Sequence, residues 1–265
     1  GDFPNASELA KTGGGTLELA GIISRGTDRN NRVLEGTMLL NNEPGIQATR
    51  GRFFIGSNAA GAPAATMRLG GSDQIPDDRG VTVFGSGFFD LNGNNELIGE
   101  GLTTHISVAG AGDVNIGAGG MLTVNAGTQV FTQGTGLAAG STITGGTLAL
   151  QAFGVIAPAG TRTIQVNDGA VGNDLTITSA VVDGTGLQSV GIVKTGFGAM
   201  ELGGTTANTF TGTTTVSEGV LILNKGTGTG GVAALAGPIT IGDANPQSGF
   251  AGSDVLRLAQ PEQIP

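Results

Sequence analysis

The only histidine of the chain is the first candidate for chemistry. His105 lies between Thr104 and Ile106, at the start of an apolar run. A catalytic triad would need a nucleophile and an acid beside this imidazole, and the sequence has no Gly-x-Ser-x-Gly turn of the kind that presents a nucleophilic serine. We therefore predict an ordinary histidine in a loop or at a strand end, and no catalytic residues.

Acidic and amide side chains are concentrated in one part of the chain, where they could bind a cation or act as an acid and base pair. A calcium site needs several oxygens within about 2.5 Å of the ion, and enzymes that cleave polysaccharides use paired carboxylates. Neither EF-hand spacing nor the Gly-Gly-x-Gly-x-Asp calcium nonapeptide occurs. We predict a solvated face or a ladder of corner asparagines, without a metal, from Asp73, Asp77, Asp78, Asp90, Asn92, Asn94, Asn95 and Glu96.

A glycine-rich stretch matches the pattern of a dinucleotide-binding loop. Residues 226–231 read Gly-Thr-Gly-Thr-Gly-Gly after an apolar segment. A dinucleotide site also requires a helix that begins at this loop. Residues 232–236 are too few to form that helix before Gly237 and Pro238. The sequence therefore predicts a loop between structural units and no cofactor.

These candidates lie in a chain that repeats itself. The motif Lys-Thr-Gly-x-Gly begins at Lys11 and again at Lys194, and the match continues without a gap to Asn41 and Asn224, always 183 residues apart. It resumes after loops of different length, as insertions among Gly, Pro, Asn and Ala disturb little buried backbone. Self-similarity of this kind predicts stacked structural units rather than a catalytic domain.

The duplicated segment is long. Ile55-Gly56 returns as Ile241-Gly242, Arg68-Leu69 as Arg257-Leu258, and the tripeptide Gln-Ile-Pro ends both copies. We name the two segments copy one, residues 11–76, and copy two, residues 194–265. We predict that both belong to a single β-solenoid that spans residues 1–265.

Composition restricts the class of protein. The 265 residues include 51 glycines but only 12% charged residues, and the mean hydropathy is +0.15, which indicates short strands joined by tight turns rather than disorder. There are no cysteines, so disulfides and cysteine metal sites are excluded. The net charge of −9 without a basic cluster argues against nucleic acid as a partner. No apolar run of about eighteen residues predicts a transmembrane helix.

Short alternating segments run along the whole chain, and their period of two predicts strands. Most are followed by Gly, Asn or Asp, which tolerate the left-handed backbone of a sharp corner. The predicted strands cover residues 16–19, 37–40, 66–69, 81–84, 88–91, 106–108, 113–116, 121–124, 147–150, 163–166, 175–178, 220–223 and 255–258.

Two all-β architectures are compatible with these strands. A β-sandwich would pair them as antiparallel hairpins, and hairpin-type turns occur at Asn92-Gly93, Asp168-Gly169 and Asp183-Gly184. The strands are short and uniformly bounded by corners, which favours a parallel β-helix with coils of about twenty to thirty residues and about ten rungs.

Three motifs of copy two closely resemble the autotransporter-associated β-strand repeat, which occurs in secreted passenger domains of bacterial surface proteins. They begin at Lys194 (Lys-Thr-Gly-x-Gly-x-Met-Glu-Leu-Gly-Gly), at Asn208 (Asn-Thr-Phe-Thr-Gly) and at Thr214 (Thr-Thr-Val-Ser-Glu-Gly-Val-Leu). Copy one keeps the opening motif and the closing Glu35-Gly36 but has Arg-Gly-Thr-Asp-Arg at residues 25–29 in place of the central motif. Residues 74–78 and 88–99 look like passages that adjoin such repeats.

The resemblance implies a right-handed β-helix that is exported to the cell exterior. We expect a non-enzymatic stalk, fibre segment or passenger of a bacterial surface protein. The chain begins at Gly1 and stops within copy two, so we expect a mature or excised piece that associates with further repeats or end to end with itself.

Two other functions remain open. One is an adhesin that binds glycans or a host protein. Because Trp and Tyr are absent, its aromatic contacts would come from exposed phenylalanines such as Phe53, Phe54, Phe88, Phe89 and Phe131. The other is a polysaccharide-active enzyme on a β-helix. Asn5-Ala6-Ser7 also matches an N-glycosylation sequon.

Overall fold

The structure is a computed structural model that describes most of the chain, namely residues 8–21, 30–125, 128–132, 139–151, 159–185, 189–227, 230–242 and 254–265. These residues form 27 strands and contain no helix. Copy one and the segment after it contain β1 (Leu9–Lys11), β2 (Thr16–Leu19), β3 (Asn31–Val33), β4 (Gly36–Leu40), β5 (Phe53–Ile55), β6 (Ala65–Leu69), β7 (Val81–Val83), β8 (Gly87–Asp90) and β9 (Asn95–Ile98).

The middle of the chain is equally rich in strands. It contains β10 (Leu102–Ser107), β11 (Gly110–Ala111), β12 (Asp113–Asn115), β13 (Met121–Val124), β14 (Thr128–Thr132), β15 (Ser141–Thr144), β16 (Thr147–Leu150), β17 (Ala159–Val166), β18 (Leu175–Ile177) and β19 (Ala180–Asp183). Copy two and the residues just before it supply β20 (Ser189–Thr195), β21 (Ala199–Leu202), β22 (Thr214–Val216), β23 (Gly219–Leu223), β24 (Gly226–Thr227), β25 (Gly230–Gly231), β26 (Ile239–Ile241) and β27 (Asp254–Leu258).

Two long parallel ladders organise these strands. One runs β1-β3-β5-β7-β10-β14-β17-β20-β22-β26, and the other runs β2-β4-β6-β8-β12-β15-β18-β21-β23-β27. A third ladder, β9-β13-β16-β19, runs beside the middle of the other two. The chain therefore visits the ladders in turn and returns to the first one strand further along, an arrangement compatible with a β-solenoid.

Coil length varies while the ladders continue. Leu102 pairs with Val81, which is 21 residues earlier, whereas Ile164 pairs with Thr128, which is 36 residues earlier. Antiparallel pairing within the described residues is confined to β10 with β11 and to β24 with β25. Long excursions thus leave the stacking intact because they lie outside the ladders.

Alternation decides which side chains form the core. In β6 the residues Ala65, Met67 and Leu69 are buried while Arg68 is exposed, as the period-two pattern predicts. Stacked coils bury these inward residues from both sides, and the core runs as one cluster from Leu19 to Leu235. The interior is therefore continuous across both copies and the segment between them.

All thirteen predicted strand segments are confirmed, with ends shifted by a few residues at most positions. The sandwich alternative is wrong for the described part of the chain, because its sheets are mainly parallel. Asn92-Gly93 illustrates the difference. Both residues have positive φ, +54° and +82°, but they form a corner between β8 and β9, which belong to different ladders.

Candidate functional site

The two lysines that open the repeated motif are buried in the same way. Lys194 is 0% exposed, and its ammonium donates to the carbonyl oxygens of Thr195 at 3.0 Å, Gly196 at 2.6 Å and Glu218 at 2.9 Å. In copy one the corresponding Lys11 donates to the carbonyl oxygens of residues 12, 13 and 35. An ammonium has three donors and no acceptor, so each lysine satisfies three backbone carbonyls that belong to two successive coils.

The glutamate that closes the motif completes this cage. Glu218 Oε2 accepts a hydrogen bond from the Gly196 amide at 2.6 Å, and Glu35 Oε2 accepts from the Gly13 amide at 3.0 Å. The next residue must be glycine. At Gly219 φ is +70°, and an added Cβ would lie 2.5 Å from the Gly196 carbonyl oxygen. The repeated Glu-Gly pair therefore allows the backbones of neighbouring coils to touch.

The asparagines at the ends of β4 and β23 form a second duplicated contact. Asn41 Nδ2 donates to Glu18 Oε1 at 2.6 Å, and Asn224 Nδ2 donates to Glu201 Oε1 at 2.9 Å. Each pair joins the end of one strand to the strand stacked before it. Asn at this position therefore connects adjacent coils in both copies.

The glutamines of the Gln-Ile-Pro motif form a third. Gln74 is 0% exposed; its Oε1 accepts from the Asn42 amide at 2.8 Å and its Nε2 donates to the Asn42 carbonyl at 3.3 Å. Gln263 makes the same pair of bonds with Lys225, at 2.7 and 2.8 Å. The residue before each glutamine has a left-handed backbone, with φ +54° at Asp73 and +55° at Glu262. The duplication thus extends to backbone conformation.

We call the contacts of Lys194, Glu218, Asn224 and Gln263, with their counterparts in copy one, the duplicated contacts. Their partners are mainly backbone atoms, and these link one coil to another. The repeated polar residues therefore build the stack itself, and in neither copy do these bonds converge on an open cleft.

Three buried ionisable groups have shifted titration. Burial lowers the pKa of Lys194 to about 8, although Glu218 and Asp174 act in the opposite direction. Burial also lowers the pKa of Lys225 to about 8; its ammonium donates to the Ser179 carbonyl at 3.1 Å. Glu96 is the acidic counterpart, because burial raises its pKa to about 8 against the hydrogen bonds from the amides of Gln74, Ile75 and Leu97. Perturbed groups of this kind also occur in structural networks.

His105 lies on an outward-facing row of rings rather than in a catalytic group. Its ring centroid is 4.7 Å from that of Phe84, which stacks on Phe54 at 6.3 Å. Its Nδ1 is 3.1 Å from Asn58 Nδ2, and burial lowers its pKa. Arg32 completes the row, with its guanidinium 5.1 Å from the Phe54 centroid. The observed partners of the imidazole are thus an amide and an aromatic ring.

The acidic stretch is divided among separate contacts. Asp90 accepts from the Asn92 amide and the Asn115 side chain, both at 3.0 Å, and pairs with Arg68. Burial raises the pKa of Asp77, with Asp73 and Asp78 as smaller causes. Within the described ranges, no three His, Cys, Asp or Glu side chains are arranged to hold a metal ion. Asn92 and Asn94 both donate to the Leu69 carbonyl, which fits the predicted role of corner asparagines.

The glycine-rich stretch does not lead into a helix. Gly226–Thr227 pairs with Gly230–Gly231 as a short antiparallel ribbon, and residues 232–236 are not helical. Residues 228 and 229 lie outside the described residues. The strand, loop and helix that a dinucleotide site requires are therefore not formed by the described part of this segment.

The phenylalanines proposed for glycan contact divide by strand parity. Phe53 and Phe89 are wholly buried in the core, so that expectation is wrong for them. Phe54 is half-buried, and Phe88 is 36% exposed. The Phe131 side chain, the Asn5 sequon and residues 25–29 lie outside the described residues.

Sequence reasoning missed the interior roles of Lys11, Lys194, Lys225 and Glu96, because charged residues are ordinarily assigned to the surface. For the first two a signal was available. A lysine that returns in register with Gly-x-Gly, in a chain with only 12% charged residues, indicates a specific partner. For Lys225 and Glu96 no such signal exists, since neither residue is repeated in the other copy.

No described helix is long and apolar enough to cross a membrane. No protein-family model, no curated protein and no solved structure matches this chain. The resemblance to the autotransporter-associated repeat therefore stays a prediction from the motifs themselves.

Proposed function

We propose that this chain is a non-enzymatic structural segment, a stalk, fibre segment or passenger, of an exported bacterial surface protein. The observation that carries the proposal is the set of duplicated contacts. Every polar residue in that set connects one coil to another, so the repeated sequence is accounted for by the demands of stacking. The exported location is supported only by the motifs that resemble the secreted repeat.

The proposed architecture is a right-handed parallel β-helix of ten rungs. Two ladders of ten strands support the number of rungs. The handedness is supported by a general rule, since connections between parallel strands of one sheet are right-handed in about 98% of cases. At about 4.8 Å per strand, ten rungs extend the body by roughly 45 Å. A segment of this kind holds whatever it carries away from its attachment point.

Single-molecule force spectroscopy tests the structural role. With handles at both ends, the chain should resist extension and then lengthen in steps of one or a few coils. The Lys194→Met variant should yield at lower force, whereas Phe197→Ala, which changes a 54% exposed side chain in the same motif, should behave like the parent. Smooth extension at forces that stretch an unfolded polypeptide would contradict the proposal.

An activity panel tests the non-enzymatic part. The chain should release no reducing ends from acidic or neutral polysaccharides. Cleavage that disappears in a His105→Ala or Asp77→Asn variant, both still folded, would replace the structural assignment with an enzymatic one.

The row of rings favours a second candidate, an adhesin-type module for a glycan or host protein. Phe54, Phe84 and His105 lie side by side on the outer face of one ladder, next to Arg32. Aromatic faces and edges of this kind contribute to contacts with other molecules. A glycan array probed with the parent and with Phe84→Ala should distinguish the two roles, since binding that depends on Phe84 would favour the adhesin.

A further inference from the structure

The edge of the stack formed by β26, β27 and residues 263–265 presents apolar side chains to solvent. Ile241 is 53% exposed, Leu258 57% and Ile264 39%. Their counterparts in copy one, Ile55, Leu69 and Ile75, are all 0% exposed. The same unit is therefore fully covered in one copy and open in the other.

The covering in copy one has a defined identity. Strand β7 pairs with β5, and Val83 lies opposite Ile55. Strand β8 pairs with β6, and Asp90 lies opposite Arg68. In copy two, β26 and β27 end their ladders among the described strands. The coil formed by residues 77–98 thus shows which sequence seals this edge.

Polar contacts specify the covering as closely as the apolar ones. Glu96 Oε2 accepts from the amides of Gln74 at 2.8 Å and Ile75 at 3.3 Å, and the Asn95 carbonyl accepts from the Asp73 amide at 2.9 Å. The corresponding residues of copy two are Glu262, Gln263 and Ile264, and the left-handed backbone at Glu262 is the same as that at Asp73. The edge of copy two therefore repeats the donor pattern that receives a buried carboxylate.

A charged contact points to the same occupant. Arg68 Nε is 3.4 Å from Asp90 Oδ2, and the arginine is held between its own strand and the coil that covers it. Arg257 occupies the equivalent position in β27 and is exposed. A coil that covers copy two should therefore bring a carboxylate to this position, after a strand with apolar inward residues.

We propose that the edge formed by β26, β27 and residues 263–265 is a docking surface for a polypeptide coil with the chemistry of residues 77–98. This coil would supply an apolar strand like Val81–Val83, a Gly-Phe-Phe-Asp strand like β8, and a carboxylate that replaces Glu96. It would add to the stack as the next coil. The proposal rests on the stacked architecture of the proposed function and adds the partner that the architecture accepts.

The test joins residues 77–98 directly to Pro265 and follows amide hydrogen exchange by NMR. The amides of Ile239, Glu262, Gln263 and Ile264 should exchange at least about tenfold more slowly than in the parent, because their counterparts in copy one all donate to the covering coil. A graft with the same residues in scrambled order is the matched control and should give no protection.

A second graft separates the carboxylate from the strands. With Glu96→Ala in the added coil only, the protection of Gln263 and Ile264 should be lost while that of Ile239 remains. Amides of the buried strand β21 report whether the body stays folded in each variant. Unchanged exchange in the native-order graft would overturn the proposal, and so would lower protection of β21, because a matching coil cannot weaken the stack.

The parent chain provides the last outcome. If the same four amides are already protected in the parent, and more strongly as concentration rises, the occupant is a second copy of this chain and the proposal is overturned. Failure of the graft leaves the force experiment unaffected. A chain that resists force but gains nothing from the graft would keep the structural role and lose only this partner.

Discussion

The buried ammonium of Lys194 allows a quantitative test of how the stack is held together. In Lys194→Met the side-chain length is retained, but the three hydrogen bonds to carbonyl oxygens are lost. Hydrogen bonds to a charged donor contribute roughly 1.5–3 kcal/mol each, which gives roughly 4–9 kcal/mol in total. Burial of the charge acts against this gain, since lowering the pKa from 10.5 to about 8 corresponds to roughly 3 kcal/mol. The expected net loss is about 3 kcal/mol.

Guanidinium denaturation followed by circular dichroism measures this loss. Hydrogen exchange of the β20 to β23 amides shows whether it is local to the two coils that Lys194 joins. Phe197→Ala is the control within the same motif and should change stability by less than about 0.5 kcal/mol, as expected for an exposed site. Equal stability of Lys194→Met and the parent would refute the reasoning, because the duplicated lysine would then be dispensable to the stack.

Three further predictions test other parts of the stack. Gly219→Ala should destabilise the chain by more than about 3 kcal/mol in a denaturation experiment, since both its φ of +70° and the contact with the preceding coil exclude a Cβ; Gly61→Ala has the same φ of +70° but nothing within 4 Å, and should cost only about 1–2 kcal/mol. Gln74→Leu should cost about 2–4 kcal/mol by the same measurement, because it leaves the buried amide and carbonyl of Asn42 without their partner, and a loss below about 0.5 kcal/mol would contradict this role. Burial raises the pKa of Glu96 above 4.5, to about 8, so the folded chain holds a proton that the unfolded chain releases; the stability from this group should be complete below pH 4.5 and fall as pH rises to about 8, and a Glu96→Gln variant with the same pH dependence as the parent would show that the slope has another origin.

The strands and the duplication could be predicted from sequence because both follow from local pattern. Alternation of apolar and polar residues gave the segments that became β2, β13 and β16 with the same ends. The glycine corners and the loss of pairing in hairpins distinguished a solenoid from a sandwich. These features depend on a few neighbouring residues, so one sequence contains the information for them.

The orientation of adjacent aromatic residues could not be predicted in the same way. Phe53 is buried and Phe54 is half-buried, while Phe88 is exposed and Phe89 is buried. In a strand of three or four residues, parity is set by where the corner begins, and a shift of one residue exchanges the two faces. The choice therefore depends on stacking against distant coils.

The buried polar residues could not be placed for a related reason. Lys225 donates to Ser179, 46 positions away, across an intervening coil. Such a distance becomes short only after the coils have stacked in register. Propensity and hydropathy assign a lysine to solvent because they describe the residue without its acceptors. Three-dimensional stacking supplies those acceptors.

The two kinds of interior contact have different roles in setting the register of the stack. Apolar contacts are not directional, and inward residues two positions apart on a strand present similar surfaces, so a slip of two residues would preserve much of the buried area. The contacts of Lys194 and Gln263 do not tolerate such a slip, since each donor must meet particular carbonyls on the adjoining segment. Unpaired buried polar atoms would add a penalty to every misaligned coil. The apolar interior thus accounts for most of the burial, and the duplicated contacts select one register from those that burial alone would allow.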